Sequence, residues 1–155
     1  MDGSYNYQDL TSQTKVDSGR VVYDNTILHA LFASEECAPF LLWARELDRL
    51  CGKFNSHEAI FTVFIPTNLS NPKDVELYDR EKFVEAHVFT TLLPFPLLQS
   101  SRGLVLKGNL ANRSVLSSFC DGVVTLNPDS SHPSTVLKQM NVGKSILYLI
   151  DQPLI

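Results

Sequence analysis

Phe61-Thr62-Val63-Phe64-Ile65-Pro66-Thr67-Asn68 is the stretch on which the fold turns. Together with Ile60 it makes a short run of β-branched and aromatic residues, the composition of a strand buried on both faces. Pro66 stops the run, because proline has no N–H to give to a ladder. Thr62 and Thr67 can pair their hydroxyls with nearby backbone at its end. This reading places the strand centrally in a sheet.

Upstream the period changes to that of helices. Ile27, Leu28, Leu31 and Phe32 are spaced by three and four residues, so they share one face of a short helix that Asn25 or Asp24 can cap. A second helix is expected with Pro39 in its first turn, an apolar stripe from Phe40 to Cys51, and Gly52 as its end. Downstream, residues 79–88 read as a helix on which Phe83, Val84, His87 and Val88 share a face. Pro94 and Pro96 bound a segment expected to be irregular. Short strand-like runs follow at 104–106, 114–116, 123–126, 135–137 and 146–150, punctuated by glycine and Asn-Pro turns. Helices first and strands later indicate an α+β domain, not alternating βαβ units.

Composition narrows the class. The chain has 155 residues, 44% hydrophobic, enough for one core and cramped for two. Residues 1–20 are polar, without apolar period, and read as a flexible arm ahead of one domain spanning 21–155. Thirteen basic against 17 acidic residues give a net charge of -4 without long runs of one sign, which argues against nucleic acid as a partner. No stretch has the roughly 18 apolar residues of a membrane span, and the first 20 lack the apolar centre of a signal peptide. The expected location is therefore cytoplasmic, or inside a particle such as a virion, with no direct membrane insertion.

Three pieces now stand in order: residues 61–68 quoted above, Ala86-His87-Val88, and Gly143-Lys144-Ser145-Ile146-Leu147-Tyr148-Leu149-Ile150-Asp151-Gln152-Pro153-Leu154-Ile155. This set resembles a divergent single-domain member of the fasciclin-like family. That family's first box reads much like TVFAPTN, its middle carries a Tyr-His pair, and its last box reads much like NGVIHVID. The resemblance runs from about Val21 to the C-terminus and implies N-terminal helices packed on a sheet or sandwich of short strands. It also implies adhesion through protein contacts. Ala86 stands where the family usually has Tyr, Tyr148 where it has His, and Ser145 in place of Gly-Val. Adhesive activity tied to the Tyr-His region is therefore not assumed. Thr62, Pro66, Thr67, His87 and Asp151 are read as structural residues of the boxes, His87 as a core histidine whose polar atoms are paired and Asp151 as an acceptor for backbone N–H groups.

No reactive constellation is legible. Cys37, Cys51 and Cys120 are an odd number at wide spacing and read as buried free thiols, with a Cys37 to Cys51 bridge open only in an oxidising compartment. His29, His57, His87 and His132 lie far apart, none with a second ligand at helical spacing, so no metal and no cofactor is expected. Gly143-Lys144-Ser145 has the ending of a phosphate loop, but residue 138 is Lys where the motif needs Gly. Asn68-Leu69-Ser70 and Asn112-Arg113-Ser114 satisfy the glycosylation triplet. Leu92-Leu93-Pro94-Phe95-Pro96-Leu97-Leu98 is apolar and proline-stiffened. It either closes the core or offers Phe95, Pro96 and Leu97 to a partner.

The leading reading is a non-enzymatic structural module whose partners are other proteins in a larger assembly, such as the capsid of a large DNA virus in which it is a minor cementing component. A secreted or cell-surface adhesion protein is the alternative. A small Cys/His-dependent enzyme is the reading from another class.

Overall fold

The computed structural model describes residues 15–17, 19–100 and 102–155. Most of the polar arm expected over residues 1–20 lies outside the described residues. Its last part does not, because β1 (Lys15–Asp17) pairs antiparallel with β2 (Arg20–Val22), so regular backbone begins ahead of residue 21.

The chain continues through α1 (Ile27–Ala33), a 3-10 turn (Glu35–Cys37), α2 (Ala38–Ala44) and α3 (Asp48–Phe54). It then forms β3 (Thr62–Pro66), α4 (Leu77–Glu85), β4 (Val88–Phe89) and α5 (Phe95–Gln99). Five strands complete it: β5 (Leu104–Leu106), β6 (Val115–Cys120), β7 (Val123–Leu126), β8 (Ser134–Val142) and β9 (Ser145–Ile150). β3 to β9 form one mixed sheet in the order β4-β3-β9-β8-β7-β6-β5. Its one parallel pairing joins β3 to β9, the two strands that carry the first and last boxes.

Alternation along these two strands divides the interior. Successive strand residues point to opposite faces, so Val63, Ile65, Leu147 and Leu149 meet the helices, in a core with Leu31, Phe40, Leu50 and Phe54. Phe64, Tyr148 and Ile150 point the other way, into a second core with Phe89, Leu98, Leu106, Val124 and Leu126. All five residues of β3 are buried. β3 lies one strand from the sheet edge, covered there by the two-residue β4, and not at the sheet's centre. Ile60, counted in the run, lies ahead of the strand and is exposed.

Four local expectations are corrected. Thr26, not Asn25 or Asp24, caps α1: its hydroxyl accepts the His29 N–H at 3.2 Å. The stripe from Phe40 to Cys51 spans two helices, with the break at residues 45–47 and Gly52 inside α3. A straight helix buries one face; breaking this one lets Phe40, Leu41, Trp43, Ala44, Leu47, Leu50 and Cys51 all reach the core. The helix expected to reach Val88 ends at Glu85, because Val88 and Phe89 are drawn into pairing with Val63 and Thr62. The segment after Pro94 is helical: Pro96 sits in the first turn of α5, where a missing N–H costs nothing.

Candidate interaction site

Two box residues, Thr62 and Tyr148, converge on one loop. Thr62 is fully buried; its hydroxyl donates to Thr91 O at 2.8 Å and accepts the Leu93 N–H at 2.9 Å. Tyr148, also fully buried, donates its hydroxyl to Leu93 O at 2.6 Å and stacks on Phe64 with ring centroids 5.4 Å apart. Burial pushes the Tyr148 hydroxyl up to about 12, so it remains a donor. These two side chains hold residues 91–93, and residues 91–93 lead into α5. Phe95, on α5, is half-buried with its ring 6.4 Å from that of Tyr148, while Pro96 and Leu97 face solvent. Tyr148→Phe is expected to destabilise by about 1–2 kcal/mol, the cost of a stranded buried carbonyl, in urea unfolding.

His87 fastens the C-terminus. Its Nδ1 lies 2.8 Å from Phe83 O and its Nε2 3.0 Å from the Leu154 N. A carbonyl only accepts and an N–H only donates, so Nδ1 carries the proton and the ring is neutral. Burial, partly offset by the Phe83 carbonyl, holds its pKa down at about 4. Asp151 Oδ1 accepts the Thr135 N–H at 2.7 Å, and Thr67 gives both its N–H and its hydroxyl to Ile150 O. Pro66 stands opposite Ile150 at the end of the parallel ladder.

Besides Tyr148, two departures from the family pattern have structural roles. Ser145 donates to Ala59 O at 2.9 Å and accepts the Phe61 N–H at 3.0 Å, tying the entry of β3 to the start of β9. Ala86 is buried and its carbonyl accepts Asn109 Nδ2 at 2.9 Å. Asn109, buried and also accepting the Arg113 N–H, was missed in the sequence because it sits in a loop with no pattern to single it out.

Beside α5 the sheet opens. β7 and β8 pair only at Thr125 with Thr135 and Leu126 with Ser134, and β8 carries a bulge between Val136 and Lys138. Their divergence leaves a cleft of about 320 Å³ lined by Phe95, Gly122, Val136, Leu137, Lys138 and Gln139. Leu137, which lines the cleft, is 55% exposed, and Val123 on β7 and Leu97 on α5 are 42% and 38% exposed; exposed apolar side chains mark protein contacts where they are contiguous. A second depression, about 280 Å³, lies between Ser130–His132 and Gln152–Ile155. A third, about 290 Å³, includes Arg80, which is already bonded to Glu46 at 2.7 Å.

Other candidate groups are dispersed. Among the described residues no disulfide joins Cys37, Cys51 or Cys120; Cys37 and Cys51 are buried, the Cys51 thiol donates to Ala44 O at 3.2 Å, and burial raises the pKa of the Cys37 thiol. Cys120, expected to be buried, is exposed because it ends β6 at the Asp121-Gly122 turn. Among the described residues no three His, Cys, Asp or Glu gather as a metal site, and no helix is long and apolar enough to cross a membrane. Asn68 and Asn112 are exposed.

Helices α1 to α4 on one face of a curled mixed seven-stranded sheet, α5 on the other, and a parallel pairing of β3 with β9 make this an α+β domain with a divergent fasciclin-like fold. The solved structure of a FAS1 domain pair from the insect cell adhesion molecule fasciclin I superposes with a TM-score of 0.65 at 17% identity. The match covers 84% of this chain and 50% of that one, so the chain spans about half the length of the domain pair. No family model matches the sequence. No curated protein matches it either.

Proposed function

We propose that the chain is a non-enzymatic, adhesion-type module that binds other proteins through the rim formed by Phe95, Pro96 and Leu97 on α5 with Val123 and Leu137 across the cleft. The observation that carries this reading is the anchoring of that rim. Buried Thr62 and Tyr148 fix the loop beneath it, so apolar side chains are presented to solvent on a stiff support at little entropic cost. The fasciclin-like fold supports it, since the protein sharing the fold is a cell adhesion molecule.

The test is capture of partners from the native source by the wild type and by a Leu97→Asp/Leu137→Asp variant. Both positions are exposed, so the variant should keep the wild-type unfolding midpoint while losing the partner by about tenfold or more, as hot-spot loss does. Undiminished capture by the variant would refute the rim.

The finer form of the proposal makes the domain a minor or cementing component of a large assembly, such as a large DNA-virus capsid. It requires a stoichiometric complex in native material, and a monomer without partners there would count against it. The exposure of Asn68 and Asn112 favours a second reading, a secreted or surface adhesion protein. Mass spectrometry of native protein should then find glycans on one or both.

A further inference from the structure

β8 has an open edge, and the hydrogen bonds of its neighbour show which groups lie on it. The Ile146 N–H goes to Phe61 O, and Ile150 O takes the Thr67 N–H, so alternate residues of β9 turn their backbone toward β3. Ser145, Leu147 and Leu149 therefore turn toward β8, where their partners are Val142, Met140 and Lys138. By the same alternation Gln139 and Asn141 direct their N–H and C=O groups away from β9. β7 has diverged by then, its pairing ending at Thr135. Among the described residues nothing bonds to the backbone of Gln139 or Asn141 on that side. Their exposed side chains bond to each other, Gln139 Nε2 donating to Asn141 Oδ1 at 2.9 Å.

We propose that this edge takes an extended segment of a partner protein, which adds a strand beside β8, seats an apolar side chain in the cleft next to Phe95 and sets a carboxylate against Lys138. The proposal rests on the interaction-module reading and names the form of the partner. Two successive outward residues offer two donors and two acceptors in a row, and their full complement is another extended backbone. The cleft lies at the Leu137 end of the edge, beyond the last pairing of β8 with β7 at Thr135. Lys138 decides between occupants. Its side chain is 58% exposed and its contact with Glu36, at 3.6 Å, is an exposed pair of small worth. Two copies meeting edge to edge would bring two lysines onto one short ladder, which like charges oppose. An acidic strand can take the place of Glu36, whose exposed contact with Lys138 is weak. The lysine and the bulge are also the devices that keep an edge from pairing indiscriminately.

The probe is an acetylated heptapeptide of alternating Thr and Val with a central Phe flanked by one Asp, followed through amide exchange at Gln139 and Asn141 by NMR. Saturating peptide should slow both amides by about tenfold or more, as new ladder bonds do. A Lys-for-Asp peptide should bind about threefold more weakly, the worth of an exposed charge pair. A peptide N-methylated at alternate residues should give no slowing. Asn141→Pro should abolish the slowing at an unchanged unfolding midpoint, since that N–H serves no ladder within the fold; if it fails to fold, the N-methylated peptide carries the test alone. Full protection by the N-methylated peptide, or none by the parent peptide, overturns the proposal. Slowing that appears with protein concentration alone assigns the edge to a second copy and also overturns it. Native partner capture that survives Asn141→Pro removes the edge from the interaction while leaving the module reading intact.

Discussion

Thr62→Val should lower the unfolding free energy by about 3 kcal/mol, although the two side chains are nearly the same shape. The hydroxyl is fully buried and serves two backbone groups on the far side of its strand, Thr91 O and the Leu93 N–H. Valine leaves the buried Leu93 donor without a partner and frees a carbonyl that water can partly reach. The loss falls on residues 91–93, so amide exchange should accelerate there and in α5 before it does in the helical core. Urea unfolding together with site-resolved exchange checks both parts. A change below about 0.5 kcal/mol, the ordinary range of a surface substitution, would mean that the loop is held from elsewhere.

Acid should weaken the fold through His87. In the unfolded chain this histidine has its ordinary value near 6.5, whereas burial holds it at about 4 in the fold. Between these values the unfolded state binds the proton and the native state does not, so stability falls as pH is lowered through that window. Above pH 6.5 the contribution is complete, and below pH 4 it is gone. The span corresponds to about 3 kcal/mol at 1.36 kcal/mol per pH unit. His87→Gln should remove that part of the slope, so the readout is the difference between wild-type and variant stability measured from pH 7 to pH 4. A constant difference would show that His87 does not titrate in this window. Protonation of Nε2 also removes the acceptor of the Leu154 N–H, so the C-terminal segment should be the first to loosen in acid.

Much of the fold was legible in local pattern. Residues 60–65 read as a strand buried on both faces because the run is β-branched and aromatic, residues 146–150 read as a further strand, and the three boxes resemble those of a fasciclin-like α+β domain. The short β runs of the second half lie close to where the sequence put them, since β-branched residues and turn glycines act locally. What misled the reading was competition from partners distant in sequence. Apolar spacing over residues 79–88 is helical, yet Val88 and Phe89 gain more from pairing with Thr62 and Val63. The stripe from Phe40 to Cys51 looks like one helix, yet burying all of it requires a break at residues 45–47.

The candidate site divides along the same line. Phe95, Pro96 and Leu97 stand out in the sequence as a stiff apolar stretch, because proline and hydrophobicity are properties of the residues themselves. Their exposure, the cleft beside them and the unpaired edge of β8 are visible only in three dimensions. An edge is defined by which strands fail to meet, and no residue encodes that by itself: β7 pairs with β8 only as far as Thr135, while β9 pairs with β8 on to Val142. By itself, then, the amino-acid sequence determined the class of fold and the buried strand that carries the first box, through patterns of burial that act over a few residues. The tertiary structure alone decided which polar groups are consumed in holding the chain together and which remain for a partner, because that depends on contacts between residues as far apart as Leu93 and Tyr148.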